Sequence, residues 1–132
     1  MPEILNHELE VLLRQIHPLF IQNGEPASDR FKPQPNDAGH MSVDRSSIIN
    51  AALSHALYTR SGRSSGAVFG VTVGEFNEEQ IECRADPIIE AVDTLANPAH
   101  ALADYTKHKE KEWKLISKRL SRKAKSRGQL FP

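Results

Sequence analysis

Apolar residues recur at helical spacing from the start of the chain. Ile4, Leu5, Leu9, Leu12, Leu13 and Ile16 share one stripe and leave Glu8 and Arg14 off it. The spacing predicts a helix over residues 3–16, although its end, Val11-Leu12-Leu13-Arg14-Gln15-Ile16, also reads as a strand. Pro18 restricts His17 and discourages a helix from running on. Residues 22–45 are punctuated by Pro26, Pro33, Pro35, Gly24 and Gly39, which predicts a long structured loop pinned by Phe31, Met41 and Val43. Ser46 or Ser47 is placed to cap a helix from Ile48 to Tyr58, with Ile48, Ile49, Ala52, Leu53, Ala56 and Leu57 as its buried face.

The period then changes. Ala67-Val68-Phe69-Gly70-Val71-Thr72-Val73 is rich in β-formers and Ile81-Glu82-Cys83-Arg84 alternates, so the two read as a hairpin turning at 77–80. Gly70 and Gly74 mark a bulge or a close backbone approach. Pro87 to Leu95 predicts a short helix with Ile88, Ala91, Val92 and Leu95 on one side. Asn97-Pro98 is a second helix-start signal, and a basic amphipathic helical segment is expected over 97–127, with a break near Thr106 left open and Gly128 ending it. The expected fold is α+β: one small domain over 1–132, a short antiparallel sheet packed with helices, and a long basic C-terminal helix.

Composition narrows the class. A single cysteine, Cys83, excludes an intramolecular disulfide, and no Cys/His cluster has zinc-like spacing. Neither a metal nor a cofactor is expected. The Met-Pro-Glu start lacks a signal-peptide pattern, and no apolar run approaches a membrane span. A cytoplasmic protein with no membrane partner is the expectation.

Charge changes the picture most. Residues 1–106 hold seven Lys and Arg against fifteen carboxylates, a net of −8. Residues 107–132 hold ten against two, a net of +8. Lys107, Lys111, Lys114, Lys118, Arg122 and Lys125 are spaced three or four apart and fall on one helical face. Trp113, Ile116, Leu120 and Ala124 fall roughly opposite. The stripe suits a carboxylate-rich protein surface, follows phosphates, lies across the acidic body of its own domain, or is simply solvated.

The candidate chemistry is a scattered constellation: Arg14, His17, His40, Arg45 and His100, with Asp44 and Ser46 beside them. Arg45 near a helix start would reinforce an anion site, and two histidines with an arginine suit phosphoester or glycosidic chemistry. Equally, Asp44 and Arg45 cap and pair, and the histidines are structural. The order of an early arginine, a Ser-rich segment and a later Glu75 or Glu79 resembles that of NAD-dependent ADP-ribosyltransferases. The chain lacks their Ser-Thr-Ser and Glu-x-Glu motifs, and no functional residue is carried over. The leading expectation is a small, bacterial, antitoxin- or immunity-type interaction protein that favours a protein partner. The alternatives are a nucleotide- or NAD-handling enzyme built on the Arg/His constellation, and an RNA-binding protein using the basic helix.

Overall fold

The computed structural model describes residues 3–132. In chain order its elements are β1 (Val11–Ile16), β2 (Ile21–Gln22), β3 (Glu25–Pro26), β4 (His40–Arg45), α1 (Ala51–Arg60), β5 (Ala67–Thr72), α2 (Val73–Glu78), β6 (Glu82–Ala85), β7 (His100–Asp104) and α3 (Glu110–Arg127). Five strands form one antiparallel sheet in the order β5-β1-β4-β7-β6, and three helices pack with it. The domain is α+β, single and small, with a C-terminal helix. A short ribbon of β2 and β3 turns at Asn23-Gly24, both at the positive φ that a two-residue hairpin turn needs.

Strand alternation decides what each face meets. Leu12 and Ile16 of β1, Met41 and Val43 of β4, and Phe69 and Val71 of β5 are buried in one cluster with Ile116, Leu120 and Ala124 of α3. Leu13 and Gln15 point to the other face, which α1 covers over β1 and β5. The loop before β4 is held from both sides at Phe31, which is fully buried. Its N–H donates to Ser117 Oγ of α3 at 2.9 Å, and its carbonyl accepts from the Tyr105 hydroxyl.

Several elements differ from the sequence pattern. Residues 11–16 form a strand, because β5 offers a six-residue ladder and the spacing of Leu12, Leu13 and Ile16 fits either period. The α1 cap is Asn50, whose Oδ1 accepts from Leu53 N, and not Ser46 or Ser47. The inward residue of that helix is Ser54, while Ile48 and Leu53 are 48% and 57% exposed. β5 and β6 are not a hairpin: they lie at opposite edges of the sheet, joined through α2. Thr72 and Glu75 make a capping box that turns the chain out of β5 into that helix. Residues 87–95 are a protruding turn, bridged at Ile88–Asn97 and Ala91–Thr94, rather than a helix. The 97–127 segment is divided: His100–Asp104 is a strand, and the helix begins at Glu110 and ends at Gly128 with φ 94.

Both sheet edges are covered. Val68 of β5 pairs with Phe131, and Leu5 N and Ala85 N bond across between residues 3–5 and β6. Unpaired edge groups are templates for association, so these caps favour a closed sheet. Gly70 permits the first: a Cβ there would collide with Val11 Cγ1 and lie 2.8 Å from Leu130 Cδ1.

Candidate functional site

β1 and β4 pair only at Leu12–Arg45 and Leu13–Asp44, while β1 stays with β5 to its end. The same register would next pair Arg14 with Val43 and then Gln15 with Ser42, but the two strands have separated there. Arg14 spans the split. Its Nε donates to Arg30 O at 3.1 Å and its Nη1 to Ser42 O at 3.0 Å. Burial pulls the Arg14 pKa below the ordinary guanidinium value, only partly offset by Tyr105, Tyr58 and Asp37. No carboxylate among the described residues is paired with Arg14, and its Nη2 has no protein hydrogen-bond partner. Among the described residues no buried side-chain nitrogen or oxygen is left without a partner, so Nη2 reaches solvent. Arg14 thus lines an open cleft of about 600 Å³. Asp37 from the loop, Tyr58 and Arg63 from the α1 side, and Thr94 from the 87–97 turn line its walls.

Two hydrogen-bond systems meet in this cleft. One runs from Ser65 to Gln15, from Gln15 to Ser54, and from Ser54 to Asp44, at 2.7, 2.8 and 2.6 Å. Asn97 Nδ2 completes it by donating to the other Asp44 oxygen at 2.9 Å. Every oxygen of Asp44 is therefore occupied, and the chain fastens α1 to β1 and β4. The other system crosses three adjacent strands. His100 Nδ1 lies 3.0 Å from both the carbonyl and the Oδ2 of Asp86, and its Nε2 lies 3.0 Å from Ser42 Oγ.

Of the five residues singled out from sequence for chemistry, only Arg14 and His100 line this cleft. His17 caps the short helical turn Pro18–Phe20, accepting from Leu19 N, and packs on Phe20. His40 sits 3.8 Å from Asp104 at the far end of β4. Arg45 is taken by Glu10, with Nε–Oε2 at 3.1 Å, and stands on a strand, not at a helix N-terminus. Burial would raise the Glu10 carboxyl, but hydrogen bonds from Arg45 and Ser47 and the Arg45 charge outweigh it and hold its pKa below the usual range. His100 likewise lies on a strand, away from any helix start. Ser42 and Asp86 escaped the sequence reading. The alternation of buried Met41 and Val43 with outward Ser42 and Asp44 is the one signal that marked Ser42.

The second candidate surface is the outward face of α3. Lys111, Lys114, Lys118, Arg122 and Lys125 are exposed, opposite buried Ile116, Leu120 and Ala124. Lys107 is exposed but precedes the helix. The helix is tied to the body by Arg119–Glu79 at 2.7 Å and Arg127–Glu75 at 2.9 Å, and Lys125 lies 3.8 Å from Glu25. Among the described residues, Lys111, Lys114, Lys118 and Arg122 have no carboxylate within 4.0 Å. No helix among those residues is long and apolar enough to cross a membrane. No family model, no curated protein and no solved structure matches the chain.

Proposed function

We propose that this is a small macromolecule-binding protein that docks an acidic protein surface on the outward face of α3. The observation that carries the reading is the row Lys111, Lys114, Lys118 and Arg122: exposed, aligned and without a carboxylate partner among the described residues, on a helix that Arg119, Lys125 and Arg127 tie to the body. Those pairs and the buried opposite face hold the scaffold in place, so binding orders side chains and not the helix. A row of one sign steers an oppositely charged partner and accelerates encounter. A protein partner is favoured over a nucleic acid because carboxylates border the row. Glu110 and Glu112 open the same helix, and Glu25 and Glu79 lie against it. A phosphate backbone meets repulsion there, whereas a protein surface of mixed charge does not. In this reading the protein works in the bacterial cytoplasm as an antitoxin- or immunity-type protein.

The test replaces Lys111, Lys114, Lys118 and Arg122 with glutamine and measures binding to a polyglutamate peptide and to duplex RNA across a salt series. Exposed substitutions change stability little, so the variant keeps the parental thermal midpoint to within a few degrees. Its affinity for polyglutamate falls about tenfold or more at low salt, and the difference shrinks at high salt. Equal affinity of variant and parent at low salt refutes the surface. Tighter binding to RNA than to polyglutamate, with the steeper salt slope of phosphate neutralisation, replaces the protein partner with RNA.

A further inference from the structure

The cleft holds a connection that the α3 surface does not use. Asp86 directly follows β6, His100 lies on β7 and Ser42 on β4, and the three strands are neighbours in the sheet. Asp86 N donates to His100 O at 2.8 Å, which fixes the backbone pair. Ser42 and His100 are diagonal on one sheet face, since Asp44 is the residue opposite His100. The side chains then meet at 3.0 Å on each side of the imidazole. The tautomer follows from the partners. Nδ1 faces a carbonyl and a carboxylate, which only accept, so Nδ1 carries the proton. Nε2 of the neutral ring is left with a lone pair aimed at the Ser42 hydroxyl. This is the connectivity of nucleophile, base and orienting carboxylate. Ser42 is exposed, the His100 side chain is 13% exposed, and both line a cleft in which Arg14 has an uncommitted guanidinium edge.

We propose that Ser42, His100 and Asp86 form a serine-hydrolase site for small carboxylic esters. Ser42 Oγ attacks the ester carbonyl carbon while its proton passes to His100 Nε2. The C–O bond to the leaving alcohol breaks, and that alcohol takes the proton from His100. Water then attacks the acyl-Ser42, gives a proton to Nε2, and releases the carboxylic acid as Ser42 recovers the proton. Arg14, which lines the same cleft and donates to the Ser42 carbonyl, supplies positive charge for the oxygen that becomes negative in each step. Ser42 and His100 are catalytic residues. Asp86, with its side chain half exposed, is a positioning residue that holds the ring and its tautomer.

The test uses the full chain and a fluorophosphonate probe, followed by intact mass and peptide mapping. This probe is chosen because the exposed lysines of α3 react with acylating esters and mimic turnover. The expected result is one adduct, on Ser42, absent in Ser42→Ala. His100→Gln slows labelling by about 100-fold, the scale of general-base assistance. Asp86→Asn lowers the maximal labelling rate about tenfold without changing the half-saturating probe concentration, and Asp86→Glu restores part of it. A purely structural contact predicts none of this. No adduct, an adduct elsewhere, or equal labelling of Ser42 in parent and His100→Gln overturns the proposal. Should His100→Gln fail to fold, the site of labelling and the Asp86 series decide alone.

Discussion

At the scale of single residues, Phe31 shows how a loop without regular structure is made part of the core. Its backbone N–H and C=O are buried, and each is satisfied by a side chain from a different element, Ser117 and Tyr105. Ser117 is itself fully buried, and its hydroxyl donates a hydrogen bond to Ser28 O at 2.7 Å. Burial pushes the Tyr105 hydroxyl pKa well above its ordinary value, more than the nearby Arg14 charge lowers it, so it stays a donor. Ser117→Ala leaves two backbone groups without partners, and an unsatisfied buried group costs about 1–3 kcal/mol. The expected outcome is a thermal midpoint lower by several degrees and faster hydrogen exchange at the Phe31 amide. An unchanged midpoint with slow exchange would show that the loop is held by the Phe31 ring alone. The anchor Phe31 was legible in the sequence as an apolar residue inside a proline-rich stretch, whereas Met41 and Val43, expected in the same loop, belong to β4. The serine that secures Phe31 was not, because a serine on a helix face reads as solvent-facing until something is known to lie against it.

At the scale of elements, what the sequence shows depends on whether the deciding contact is local. The two faces of α3 are governed by i, i+3 and i+4 spacing, and the buried Ile116, Leu120 and Ala124 lie where that spacing puts them, whereas its start lies at Glu110 and not at Asn97-Pro98. Strand β1 is decided by β5, more than fifty residues away, so its helix-compatible pattern misled. The β5–β6 hairpin failed for a readable reason. β5 is buried along both faces, as a near-continuous apolar run implies, and Thr72-x-x-Glu75 is a capping box placed at its end. The candidate site suffered most. Ser42, Asp86 and His100 converge only through the β4–β7–β6 register, and no spacing along the chain encodes that. The capping box has a measurable consequence. Thr72→Ala removes the acceptor for Glu75 N and should cost about 0.5–2 kcal/mol. It should speed exchange at the start of α2 before it affects α1. Loss of protection in α1 first would mean that α2 is held by Val73 and Phe76 packing and not by its cap.

At the scale of the whole molecule, opposed charges are partly spent on the fold itself. Arg127 bonds Glu75 and Gly70 O, Arg119 grips Glu79, and on the far side Arg45 grips Glu10. Burial alone would raise the Glu75 carboxyl, yet Arg127 and the Thr72 cap hold its pKa below the ordinary range, as Arg45 and Ser47 do for Glu10. A carboxylate with a depressed folded pKa adds stability that is complete above its unfolded value, about 4.3 for glutamate, and is lost as pH falls through the lower folded value. Stability should therefore be level near neutrality and decline below about pH 4. The double variant Glu10→Gln, Glu75→Gln should be less stable than the parent at pH 7, because it leaves Arg45 and Arg127 with weaker partners. Its acid decline should be shallower, so that the two denaturant-unfolding curves approach one another by about pH 2. A gap that stays constant from pH 7 to pH 2 would mean that packing of the two side chains, not their charge, ties α3 and β4 to the body. The outward row Lys111, Lys114, Lys118 and Arg122 has no carboxylate partner among the described residues, so its glutamine variant should show the same acid profile as the parent.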